Sequence, residues 1–201
     1  MLIADVLDGP FTATLFCRPR RFGKSLNLSM LHRFLEIPSP SDPAAMDTTP
    51  LFSGLAIWEV EEGYYRQHHG VYPVIRFSFN DTKGLEWETS YGMIAANIAA
   101  EYGRHRYVLE GDVPENERAT FERILSQSAS EAEVRASLVL LSHRLFRHHG
   151  ARVVILIDEY DAPVMAGYTY DYYTEVVDFL KGWLTGALKD NEALAFACLT
   201  G

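Results

Sequence analysis

The chain has 201 residues, a formal net charge of −9, and 48% hydrophobic against 22% charged residues. That is the balance of an ordinary globular protein long enough to bury a full core, and its negative sign disfavours a general affinity for nucleic acid or an anionic bilayer. No apolar run approaches the roughly 20 residues needed to cross a membrane, and residues 1–10 carry acids but no Lys or Arg, the wrong pattern for a secretory signal.

A cytoplasmic location is expected on those grounds. The two cysteines, Cys17 and Cys198, sit in separate apolar runs and make no disulfide framework. They read as reduced, buried small hydrophobes.

In chain order, short apolar runs bounded by polar or turn residues predict buried parallel strands over residues 12–17, 72–79, 152–157 and 193–199. Helices are expected between them. Over residues 25–35, Leu28, Leu31 and Leu35 recur at spacings of three and four. Residues 91–102 place Ile94, Ile98 and Tyr102 on one face, and residues 115–126 also read as helix. Residues 131–149 carry Val134, Leu138, Leu141 and Leu145, with Ser130 and Glu133 spaced for a capping box. A last helix is predicted over residues 171–189. Residues 37–50, with Pro38, Pro40, Pro43 and Pro50, read as loop, and a turn is expected at residues 110–114. Alternating strands and helices define an α/β protein with a mainly parallel sheet. Ligands of such sheets bind beyond the carboxyl ends of the strands.

The first strand runs into Arg18, Pro19, Arg20, Arg21, Phe22, Gly23, Lys24 and Ser25, then a helix. Gly23-Lys24-Ser25 matches the end of the Walker A pattern, in its proper strand–loop–helix setting. The order follows from chemistry: a helix start exposes unpaired N–H groups and a partial positive charge that phosphate oxygens can use. Gly23 lets the backbone approach, Lys24 can reach the β- and γ-phosphates, and Ser25 offers its hydroxyl to magnesium. Arg18 stands where the pattern has its first glycine, and Pro19 removes a donor. Arg18, Arg20 and Arg21 bring positive charge to the same loop.

The third strand ends Ile157-Asp158-Glu159-Tyr160-Asp161, the Walker B arrangement of an apolar run meeting adjacent acids. Asp158 is expected in the magnesium shell and Glu159 as general base toward water. Asp161 is expected to support them or to cap the next helix. The bland reading, an acidic helix start favoured by the dipole, loses weight beside the phosphate loop. Thr200, at the end of the fourth strand, can contact the γ-phosphate or the attacking water, although threonine also suits strands for its own reasons.

The strings Phe16 to Leu26, Ile157 to Pro163 and Leu199-Thr200-Gly201 closely resemble the AAA-ATPase-like family of P-loop proteins, and Arg76-Phe77-Ser78-Phe79 looks like its second strand. The resemblance spans nearly all of residues 1–201. It implies a three-layer P-loop NTPase with sheet order 5-1-4-3-2, in which Arg18 is usual. It further implies Arg18, Pro19, Arg20, Arg21, Phe22, Gly23, Lys24, Ser25 and Leu26 around ATP, with Ser25 and Asp158 on Mg2+. The catalytic set it implies is Glu159, Lys24 and Thr200. Members often carry a PD-(D/E)XK nuclease-like domain. The chain stops at Gly201, right after the fourth strand, so a fragment truncated before its fifth strand is expected, with an unpaired edge on the first. Nucleic acid as a partner enters only through that companion domain.

Three functions follow as expectations. The leading one is an ATPase module coupling nucleotide state to a protein partner or attached domain. The second is a non-hydrolysing nucleotide switch. A kinase acting on a small acceptor comes third, because Glu159 beside Asp158 suits water activation better. His68-His69 and His148-His149 read as exposed polar positions without metal-like partners. The tyrosines at 168, 170, 172 and 173 read as half-buried surface.

Overall fold

A computed structural model describes residues 2–17, 22–38 and 47–201. The phosphate-loop residues 18–21 and most of the expected proline loop lie outside the described residues.

The sequence folds as α1 (Leu2–Leu7), β1 (Ala13–Phe16), α2 (Lys24–Leu35), α3 (Thr49–Phe52), α4 (Ala56–Glu59), β2 (Val74–Ser78), α5 (Trp87–Arg104), α6 (Glu115–Leu125), α7 (Glu131–His149), β3 (Val153–Asp158), α8 (Ala162–Thr169), α9 (Tyr173–Leu188) and β4 (Leu194–Thr200). Segments of 3-10 helix cover Val60–His68 and Arg106–Leu109. Each strand forms within two residues of its predicted bounds. All pairings are parallel, in the order β1-β4-β3-β2. Placing β4 between β1 and β3 is the arrangement that the family resemblance implies.

Alternation along the strands builds two cores. Ile75, Phe77, Ile155, Ile157, Ala197 and Leu199 face α5 through α9. Val74, Val154, Leu156 and Cys198 face α1 through α4. The result is three layers, with β3 buried on both sides as its unbroken apolar run requires. Ser137 ties the thicker side together: its hydroxyl accepts from the Trp183 indole at 2.9 Å, and its carbonyl accepts from the Tyr102 hydroxyl at 2.7 Å. Truncating Trp183 to Ala would cost about 3–5 kcal/mol.

The ends of α7 follow the sequence. The Ser130 hydroxyl accepts from Glu133 N at 3.4 Å, and the Glu133 carboxylate accepts from Ser130 N at 2.9 Å. Gly150 closes the helix at φ 65°, a left-handed conformation in which a Cβ is strained.

The sheet edge at β2 is sealed by side chains of α5. Glu101 Oε1 accepts from Arg76 N at 2.8 Å, Asn97 Nδ2 donates to the Ser78 carbonyl at 2.6 Å, and Arg104 donates to the Val74 carbonyl. These are the outward backbone groups of an edge strand, left unpaired by the ladder. Arg104 also bridges Glu101 at 2.7 Å and pairs with Glu36 at the end of α2. Burial pushes the Glu101 carboxyl up, but Arg104 and His105 outweigh it and hold the group down at about 2. Glu36 is likewise held below the usual carboxylate range, its burial outweighed by His32 and Arg104.

Several local expectations change. Thr49 and Pro50 belong to a helical turn, with proline in the first turn where its missing N–H costs nothing. The last helix begins at Tyr173, and a separate helix α8 precedes it. Asp161 stands at the N-cap of α8 but makes no side-chain cap bond. Cys17 is exposed, and only Cys198 is buried. His69 packs its ring among Phe34, Phe52 and Trp58, and His149 lies against Tyr107. Tyr172 is buried, its hydroxyl donating to the Gly84 carbonyl, whereas Tyr168, Tyr170 and Tyr173 are exposed.

Candidate functional site

Helix α2 is the next element after β1, and its N-cap is Gly23 at φ 73° and ψ 21°. Glycine adopts that left-handed conformation without steric cost, so the chain can enter the helix there. No side chain caps this end of the helix, and its first N–H groups stay available to an anion. Lys24 and Ser25 occupy the first turn. Phe22 and Leu26 are 61% and 74% exposed, large apolar side chains left in solvent beside the helix start.

Lys24 Nζ donates to the Gly201 carbonyl at 2.8 Å. Thr200, one residue earlier, donates its hydroxyl to Asp158 Oδ1. The same hydroxyl lies 3.4 Å from the Glu159 amide, and Tyr160 N donates to the Thr200 carbonyl at 3.0 Å. The tips of β3 and β4 are thereby stitched together, and the start of α2 is pinned to the end of β4. Lys24 and Asp158, 134 positions apart in the chain, converge at the carboxyl end of the sheet.

Glu159 adopts φ 51°. A non-glycine residue in the left-handed region is strained by about 1–2 kcal/mol and persists where its surroundings over-determine it. Here the Thr200 contact and the Tyr160 bond hold the turn. Ser25 and Asp158 line one open groove of about 370 Å³. Lys24 and Thr200 line a neighbouring cavity of about 250 Å³ that runs beneath α1 past Asp5 and Phe16.

These residues fit a nucleotide–magnesium group. Asp158 spends one oxygen on Thr200, leaving the other for a cation. Among the described residues no cluster of three or more His, Cys, Asp or Glu forms a dedicated metal cage. Magnesium needs none: one carboxylate, a hydroxyl, water and phosphate oxygens satisfy it. The predicted site residues Lys24, Ser25, Asp158, Glu159 and Thr200 are therefore brought together, whereas Arg18, Pro19, Arg20 and Arg21 lie outside the described residues. Sequence reasoning missed the structural part played by Gly201, whose backbone packs against Tyr160 and Asp161 and receives Lys24. Its position directly after Thr200 was the available signal.

An all-parallel sheet with β4 between β1 and β3, and a glycine-capped helix opening at its carboxyl end, define a protein with a P-loop NTPase-like fold. The chain belongs to the AAA-ATPase-like family, described as predicted AAA-ATPases, whose model matches residues 2–201. It is 32% identical over 190 residues to an "Uncharacterized protein in vnfD 5'region" of Azotobacter chroococcum mcd 1. That match covers 92% of this chain and 29% of the relative, so the chain spans less than a third of the protein it resembles. No solved structure matches. Among the described residues no helix is long and apolar enough to cross a membrane. The family supports a nucleotide-binding, ATPase-like role.

Proposed function

We propose that the chain binds ATP with Mg2+ and forms the hydrolytic site of a longer protein that couples nucleotide state to a partner or an attached domain. The carrying observation is the Thr200 hydroxyl bond to Asp158, with Lys24 fixed one residue away on Gly201. It supports a reading in which a cation, a metal-binding acid and a polar strand tip act on one phosphate group.

Each residue then has a chemical task. Lys24 exchanges its carbonyl partner for β- and γ-phosphate oxygens. The N–H groups behind Gly23 take the remaining phosphate charge. Ser25 and Asp158 hold the magnesium, which offsets charge developing on the phosphates. Glu159 accepts a proton from the attacking water, and Thr200 orients that water or the γ-phosphate while keeping Asp158 aimed. Binding of ATP to the isolated chain and phosphate release by the complete protein test this reading together. Lys24→Ala should weaken binding, and Glu159→Gln should preserve binding while lowering turnover at least about 100-fold. Full turnover in both variants would refute the site. Magnesium-dependent binding without turnover in the complete protein would make the module a switch.

A further inference from the structure

The groove that holds Ser25 and Asp158 extends away from Lys24, between α2 and the β2 edge. Neither Lys24, Gly23 nor Thr200 lines this groove. Arg76 does. Its neighbours Ile75 and Phe77 fill the core beneath α5, so alternation puts Arg76 on the α2 side of the strand. Its backbone N–H is spent on Glu101, but its guanidinium has no hydrogen-bond or ion-pair partner among the described residues.

Arg104 is paired with Glu101 and Glu36. Asp158 accepts the Thr200 hydroxyl and keeps its charge at the magnesium end of the groove. Arg76 is the cation of this lining for which no ion pair is seen among the described residues. Around it stand donors without charge, the hydroxyls of Ser25, Ser29 and Ser78. A planar guanidinium beside hydroxyls matches an oxyanion, which it can hold through two parallel bonds.

We propose that this groove is a second subsite, taking the phosphate or carboxylate group of a small anionic ligand, with Arg76 as its cation and Ser29 as a supporting donor. Ser78 pairs in register with Asp158, so Arg76 lies only about 6.6 Å back along the strand. A ligand held there sits beside the terminal phosphate of the nucleotide. That last placement rests on the function proposed above; the subsite itself does not.

Titration calorimetry on the nucleotide-free chain, with inorganic phosphate and with succinate, tests it. One of the two probes should bind, and the stronger one identifies the ligand as phosphorylated or as a carboxylate. Arg76→Ala should weaken that binding at least about tenfold, and Arg76→Lys should recover part of it. Arg76 is exposed, so its variants should keep the wild-type melting temperature as a control for folding. No binding of either probe, or wild-type affinity in Arg76→Ala, would overturn the subsite. Affinity lost in Lys24→Ala and kept in Arg76→Ala would assign the anion to the helix start instead. If Arg76-dependent phosphate binding persists in a chain that takes up no ATP, the nucleotide reading fails and the subsite stands.

Discussion

The hydroxyl of Thr200 donates to Oδ1 of Asp158 and so locks the tip of β4 to the tip of β3. One hydrogen atom settles which carboxylate oxygen faces the groove. Thr200→Val, which keeps the branched shape and removes the donor, should lower turnover of the complete protein by about 10- to 100-fold, as expected for a hydrogen bond to a charged group. ATP affinity should change much less, so kcat against KM is the measurement. A fall in affinity with kcat intact would contradict the assignment.

Glu159 combines a proposed chemical task with a backbone conformation that costs stability. Glycine tolerates φ 51° and alanine does not, so Glu159→Gly should be about 1 kcal/mol more stable than Glu159→Ala. Urea unfolding of the isolated chain measures the difference, and turnover should be lost in both. Equal stabilities would show that the turn relaxes when the carboxylate is removed.

The network behind β2 predicts a large effect of one truncation and a defined acid response. Arg104→Met removes the partner of two buried carboxylates and should cost about 3–5 kcal/mol, seen as a lower urea midpoint at unchanged slope. Glu101 is held at about 2 against an ordinary 4.5. A depressed folded value means that its stabilisation is present above pH 4.5 and is lost as pH falls toward 2. The stability gap between wild type and Glu101→Gln should accordingly shrink across that window. A gap independent of pH would contradict the shift.

The two thiols should differ in chemistry. Burial pushes the Cys198 thiol up to about 12, which leaves almost no thiolate at neutral pH. Cys17 is exposed at the end of β1, ahead of the phosphate loop. Native protein should therefore release one equivalent of chromophore from a disulfide reagent at pH 8, and a second only on unfolding. Bound ATP should slow modification of Cys17.

Much of this molecule could be read in its sequence because the relevant signals are local. Val153 to Ile157 form an unbroken apolar run, Leu28, Leu31 and Leu35 keep helical period, and Ser130 with Glu133 are three residues apart. The phosphate-loop helix and the acidic strand end are equally compact signals. The unread parts fall into two kinds. Helices α1, α3, α4 and α8 are at most eight residues long, too short for a period to emerge, and tertiary packing fixes them. The β2 seal joins residues up to 68 positions apart, and polar groups on a helix read as solvent-facing until the strand they cover is known. His32 and His105 entered no expectation for that reason, although both are buried beside carboxylates.

Because α5 side chains occupy Arg76 N, Ser78 O and Val74 O on the outward side of β2, the sheet has a direction. No further strand can be zipped onto that side without first evicting Arg104, Glu101 and Asn97. β1 pairs only with β4 among the described residues, and its far side keeps a free template of N–H and C=O groups. Growth of the sheet by any added strand is thereby steered to the flank of β1. A newcomer there would stiffen the strand paired with β4, whose last residue Thr200 holds Asp158.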